Sequence, residues 1–283
     1  MDTKQSNAID IMKLFFAICI VGIHTNVLDH FSSRCNWYVT HLLFRLAVPF
    51  FFITSEFFFG RKFLQVSGDK TERLNICHQY IHKNLPMFIF WGGFGLIWYT
   101  ITLIIEQDKF VIIKMIRTAL FYPRGAMWYL AASMVAIWII GELWNHKNLL
   151  ILIALGGYGF ALLANTYYFL VENTWVGQII NLYMKIFISA RNAIGVGILY
   201  MGLGIWISSK NNPLRQWSTK RIASMCCILF IIYYIEVTIT YGKHVLDDSS
   251  CFIVLPLFSM MLFLLIQRTY VPVSREQSLY VVN

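Results

Sequence analysis

The sequence predicts an all-α fold, a polytopic membrane bundle of about eight to nine transmembrane helices. Of the 283 residues, 58% are hydrophobic and 13% are charged, whereas an ordinary soluble domain carries about 25% charged residues. Mean hydropathy is +0.61. Apolar runs of about 17–22 residues recur along the chain, and about 20 such residues cross the hydrocarbon core as a helix. A soluble fold of this composition would leave large apolar patches in water.

The first span is expected at 9–28. It is long and holds Lys13, and it lacks a small-residue cleavage site, so it reads as an uncleaved anchor rather than a signal peptide. The second, 38–59, contains Pro49, which frees a carbonyl and predicts a kink. Residues 60–85 form a basic and apolar loop, with an interfacial helix over 70–84 that ends before Pro86. Further spans are expected at 86–105, 127–143, 149–170, 193–208, 222–241 and 251–267. The run 175–190 is short and interrupted by Lys185; it reads as an amphipathic interfacial helix, or else a ninth span. The closing "PVSREQSLYVVN" looks like the polar lead-in to another span. No repeat, low-complexity tract or soluble appendage interrupts the chain, so 1–283 reads as one membrane domain.

Lys and Arg concentrate on the cytoplasmic side of membrane proteins. With the N-terminus inside, the inner segments hold 13 basic residues and the outer ones 8. Both termini are therefore expected in the cytoplasm. The outer segment 106–126 runs against the bias with Lys109, Lys114, Arg117 and Arg124. The net charge of +9 is accounted for by anionic lipid headgroups and calls for no nucleic acid. The partner implied is the bilayer.

Six cysteines occur without a CxxC, which argues against a metal knuckle. Cys35 and Cys251 both fall near the outer face, leaving a disulfide between them open. His78 and His82 have the i,i+4 spacing of a metal pair, but there is no HExxH and no evident third ligand, so no metal is expected. GxSxG, P-loop and dinucleotide fingerprints are absent.

Ionisable residues inside spans are costly and are functional candidates by default. Lys13 and His24 lie eleven residues apart, hence on one helix face about 16 Å apart along the axis. Asp10, one turn before Lys13, can pair with it. Asp10, Lys13, Ala17, Val21 and His24 thus make a stripe that is expected to face the bundle interior. Lys13 also lies close enough to the inner end to snorkel. His24 reads either as a hydrogen-bonded core histidine or as a general base. Arg45, in the second span, needs a carboxylate, a carbonyl cluster or an anionic substrate. Ser55 and Glu56 follow, Glu56 near the inner end facing headgroups or Arg61. Trp128 and Tyr129 open the fourth span, where an interfacial aromatic belt explains them. Arg191 and Asn192 stand at a span entrance before Gly195, Gly197, Gly202 and Gly204, which mark close helix packing. Glu236 is mid-span, either a protonated hydrogen-bonded carboxyl or a proton relay.

In this order, "NAIDIMKLFFAICIVGIH", "FRLAVPFFFITSEFFF", "KNLPMFIFW", "GAMWYLAA" and "SARNAIGVGILYMGLG" resemble the acyltransferase-3 family of membrane acyltransferases, over roughly residues 7–280. "ANTYYFL" and "RNAIGVGILYMGLG" also resemble the membrane half of the vancomycin-resistance serine racemases, a version of this domain linked to serine uptake. The resemblance implies a bundle of about ten helices. It implies transfer of an acyl group, often acetyl, from cytoplasmic acyl-CoA to a hydroxyl on a sugar or cell-envelope glycan. Acyl-CoA would be a co-substrate, with no cofactor held permanently. His24 matches the family's essential histidine. Lys13 stands where many members have arginine. Arg45 matches the basic residue of the second span, and Arg191 with Asn192 match an "RN" pair. Catalysis is therefore expected from His24, Lys13 and Asp10, and donor or substrate binding from Arg45, Ser55, Arg191, Asn192 and Trp128. Glu56 and Glu236 are the candidates for proton coupling in the alternative, a transport module for serine or a similar amino acid. Two departures stand out: Glu56 replaces the family's usual glycine, and the chain stops where the last span should begin, so that span is expected to be missing.

Overall fold

The computed structural model describes residues 3–25, 28, 30, 32–66 and 68–269; the terminal stretch read as a lead-in to another span lies outside them. The described residues form helices and connecting turns, with no strand among them. Helix α1 spans Thr3–Thr25, α2 Ser33–Leu42, α3 Ala47–Phe63, α4 Lys70–Ile105, α5 Val111–Phe121, α6 Met127–Leu143, α7 Lys147–Ala164, α8 Trp175–Phe187, α9 Ile198–Ser208, α10 Thr219–Thr240 and α11 Leu255–Arg268. Five helical stretches are long and apolar enough to cross a membrane, and three shorter apolar ones accompany them. Many outward residues are large and apolar, among them Leu14, Ile18, Phe90, Leu152 and Ile239, which suits contact with lipid.

Two expected elements differ. The span drawn over 38–59 is broken: α2 ends at Leu42, a 3-10 turn covers Phe44–Leu46, and α3 begins at Ala47. Pro49 sits in the first turn of α3, directly after this break, so the interruption includes Arg45, whose carbonyl the proline leaves without its helical N–H donor. Conversely, no boundary falls at Pro86, because α4 runs through it as one helix of 36 residues. The exposed proline removes one internal bond, and the rest of a long helix outweighs that loss. The run 175–190 forms the short helix α8, and α5 is a second short helix in what read as an outer loop. All six cysteines are free; Cys35 is exposed and Cys251 buried, so the disulfide left open by the sequence is not formed.

Two compact units emerge, with the chain passing between them at Ser55–Glu56, Ser209–Lys210, Tyr241–Gly242 and Cys251–Phe252. In the unit of 1–55, 210–241 and 252–283, the core holds Phe16, Phe50 and Phe263, with ring centroids 4.7 Å and 6.1 Å apart in succession. Trp37 Nε1 donates to the Val237 carbonyl at 3.3 Å, and the Tyr233 hydroxyl donates to the His41 carbonyl. These two bonds tie α2 to α10. Arg268, ending α11, donates to the carbonyls of Leu214 and Trp217 and fixes the turn before α10.

The unit of 56–209 and 242–251 is packed on small residues. A Cβ at Gly141 would lie 2.7 Å from Cys77 Sγ, and one at Gly60 would lie 2.9 Å from the Ile205 Cα. Gly195 is tightest, its Cβ position 2.0 Å from the Ala190 carbonyl oxygen, and at Gly157 that position lies 2.3 Å from the Ile194 carbonyl oxygen. Since backbone has no room to yield there, Gly157→Ala should lower stability by about 1–3 kcal/mol, measurable as a fall in Tm in detergent.

Candidate functional site

Within the first unit, α1 carries the predicted stripe. Lys13 Nζ lies 2.9 Å from Asp10 Oδ1, so the predicted pair forms. The stripe is not interior, however. Ala8, Ile9, Phe16 and Cys19 are the buried face of α1, while Ala17, Val21 and His24 are exposed and Asp10 and Lys13 half-buried. Phe16 anchors the packing face with Ile9, Ala8 and Cys19, and the stripe shares the outward side with Leu14 and Ile18. Near its end α1 meets the 3-10 turn closely, a Cβ at Gly22 falling 2.7 Å from the Phe44 ring. His24, two residues after Gly22, and Arg45, next to Phe44, are thus presented by two elements in direct contact. Arg45 is half-buried, with its Nε shut off from solvent. Ser55 is half-buried on α3.

Glu236 has a definite task in this unit. It is buried, and its two carboxylate oxygens accept from the backbone N–H groups of Ile253 and Val254, the latter at 3.1 Å. These are the orphan donors ahead of α11, so the carboxylate caps that helix from α10. A capping acceptor explains the residue without a relay. Glu236→Leu should destabilise by about 2 kcal/mol through unsatisfied N–H groups, and Glu236→Gln, which keeps an acceptor oxygen, by less. Thermal unfolding of the two variants checks this; a Gln variant that folds normally and yet is inactive would restore the relay.

In the second unit Arg191, Asn192 and Trp128 come together. Arg191 Nη1 lies 2.9 Å from Asp248 Oδ2, and its Nε lies 3.5 Å from Asp247 Oδ2. Its guanidinium sits 5.5 Å from the ring centroids of both Tyr122 and Trp128. Burial works against its charge, yet Asp248, Tyr122 and Asp247 outweigh it and hold the guanidinium above arginine's ordinary range. Ser189 Oγ completes the cluster, donating to Asp247 and accepting from the Arg191 backbone N–H. Trp128 is buried and stacked on Tyr122 rather than standing in an interfacial belt, because the arginine cluster gives its ring a polar partner inside the protein.

Asn192 starts the next element. Its Oδ1 accepts from the backbone N–H groups of Ile194 and Gly195 at 3.1 and 3.0 Å, and its Nδ2 donates to the Tyr183 hydroxyl at 2.6 Å. It caps a π-helical turn, Ala193–Gly197, that leads into α9, and such turns recur at functional sites. Sequence reasoning missed Asp247, Asp248, Ser189 and Tyr183. The adjacent acidic pair in an apolar chain with 14 Asp and Glu in all was the available signal.

Glu56 belongs to this unit and is fully buried. It faces neither headgroups nor Arg61, whose guanidinium stacks over Phe57 at 4.5 Å. Among the described residues its carboxylate oxygens make no hydrogen bond of ordinary geometry, although the Tyr80 hydroxyl faces them. The helix register that buries Phe57 and Phe63 carries Glu56 inward with them.

Repeated apolar spans and polar clusters set among them define a multi-pass membrane protein. A family model described as an acyltransferase domain matches residues 6–282, and the chain belongs to that family, the acyltransferase-3 family. It is similar to an amino-acid racemase of Enterococcus faecalis, 28% identical over 80% of this chain and 31% of that protein. A serine/alanine racemase of Enterococcus gallinarum is 23% identical over 93% of this chain and 37% of that protein. The chain spans about a third of the length of these relatives. No solved structure matches it.

Proposed function

We propose that this protein is a membrane O-acyltransferase that moves an acyl group, acetyl in the simplest case, from cytoplasmic acyl-CoA to a hydroxyl of a sugar or cell-envelope glycan. Family membership carries the reading, and the meeting of α1 with the Arg45 turn supports it. His24 takes the proton from the acceptor hydroxyl as the oxygen attacks the thioester carbonyl. Collapse of the tetrahedral intermediate expels the CoA thiolate, which recovers the proton from His24. Lys13, held by Asp10, and Arg45 contact the CoA phosphates or the developing oxyanion. The orientation that goes with this puts both termini in the cytoplasm, so that Lys13 lies toward the donor side and His24 toward the acceptor side. Arg191, Asn192 and Trp128 shape the second unit, and through it the binding surface. The test is transfer of label from acetyl-CoA to envelope saccharide by membranes bearing the chain; absence of labelled saccharide refutes it.

The names of the racemase relatives favour a second reading, a transport module for serine or a similar amino acid. There the buried carboxylate of Glu56 would serve in proton coupling. Uptake of radiolabelled serine by cells expressing the chain, with no transfer of acetyl label, would decide for transport.

A further inference from the structure

The second unit contains a cavity of about 580 Å³ that none of the clusters above occupies. Its walls include Trp98, Tyr99 and Thr102 of α4, Glu106 just past the end of that helix, Lys114 of α5 and Arg124 from the turn before α6. Tyr99, Thr102 and Glu106 follow at spacings of three and four, so they share one helix face. Arg124 lies flat over the Tyr99 ring at 3.9 Å, and among the described residues no carboxylate is paired with it. Lys114 is ion-paired with Asp108, and that ammonium, together with the Phe110 backbone N–H, holds the Asp108 carboxyl below the usual carboxylate range.

Lys114 and Arg124 are two of the four basic residues that run against the charge bias of the loops. Asp108 already meets Lys114, so Arg124 is the cation of this lining that calls for a ligand. The volume falls in the range that holds a ligand of several rings and far exceeds a single serine. The exposed Trp98 ring offers an apolar face to the C–H side of a pyranose. Thr102 and Glu106 suit its hydroxyls, and a guanidinium suits a carboxylate or phosphate through paired N–H donors.

We propose that this cavity binds an anionic saccharide unit, a pyranose bearing a carboxylate or phosphate, as the recognition subsite for the acceptor. Its role as an acceptor site rests on the acyltransferase reading; the binding itself does not. The full chain, purified in a neutral detergent, is titrated calorimetrically with a hyaluronan tetrasaccharide, which carries glucuronate, and with uncharged chitotetraose. Saturable binding of the acidic sugar, at least about tenfold tighter than the neutral one, is expected from the charged contact. Arg124→Gln and Trp98→Ala should each weaken it by about tenfold or more, at an unchanged Tm because both side chains are exposed. Equal binding of the two sugars overturns the anionic class. Displacement by coenzyme A reassigns the cavity to the donor, and binding of phosphatidylglycerol vesicles with no saccharide bound reassigns it to lipid; either result overturns the proposal, as does no saturable binding. Sugar binding without acetyl transfer refutes the acyltransferase reading and leaves the site standing. Transfer without anionic-sugar binding refutes the site alone.

Discussion

Alanine in place of His24 is expected to lower transfer of acetyl label about 10²–10⁴-fold, the usual contribution of a positioned general base. The loss should fall on kcat, with KM for acyl-CoA little changed, because the imidazole acts on the acceptor proton and is not needed to hold the donor. Tm in detergent should hold, since His24 is exposed near the end of α1 and removing its ring opens no cavity. His24→Gln, which keeps hydrogen-bonding capacity but cannot take up a proton, should be as inactive as alanine. Transfer undiminished in both variants sinks the role. A fall in kcat with a rise in KM, and a lower Tm, would instead make His24 a packing residue of the contact between α1 and the Arg45 turn.

The second large effect is on stability. Arg191→Ala should destabilise the protein by about 3 kcal/mol, the low end for breaking a buried pair by removing one partner. The arginine side chain is only 15% exposed, and its loss takes a guanidinium away from two neighbouring carboxylates. Arg191→Lys keeps the charge but loses the fork that reaches Asp247 and Asp248 together and the flat contact with Tyr122 and Trp128, so a smaller loss is expected. Thermal unfolding in detergent, followed by circular dichroism, measures both. A variant that unfolds at the wild-type temperature and yet loses transfer would reassign Arg191 from organising the 242–251 loop to contacting substrate.

Much of the fold was legible in the chain. The apolar runs of 127–143 and 193–208 coincide with α6 and with the π-turn plus α9, because an apolar run bounded by polar turns marks where a buried helix starts and stops. The Asp10–Lys13 pair was legible too, since a spacing of three residues on a helix brings side chains together wherever that helix lies. Proline was read less well. Pro49 and Pro86 look alike in sequence, yet one sits in a first turn and the other inside a continuous helix. The difference depends on where neighbouring hydrogen bonds begin, which a local window does not contain.

The ionisable residues divide in the same way. Composition and spacing determined by themselves that this is a multi-pass helical membrane protein, and that Lys13, His24, Arg45, Arg191 and Glu236 are set among apolar segments and call for explanation. Only the tertiary structure decided what each of them meets. It turned the α1 stripe outward, gave Glu236 the N–H groups ahead of α11, closed Arg191 between two aspartates and two aromatic rings, and sealed Glu56 inside. For Arg191 and Glu236 the physical reason is that burying a charge is tolerable only beside a compensating partner, and a partner such as Asp248 or Val254 is remote in sequence, brought near only when the helices pack.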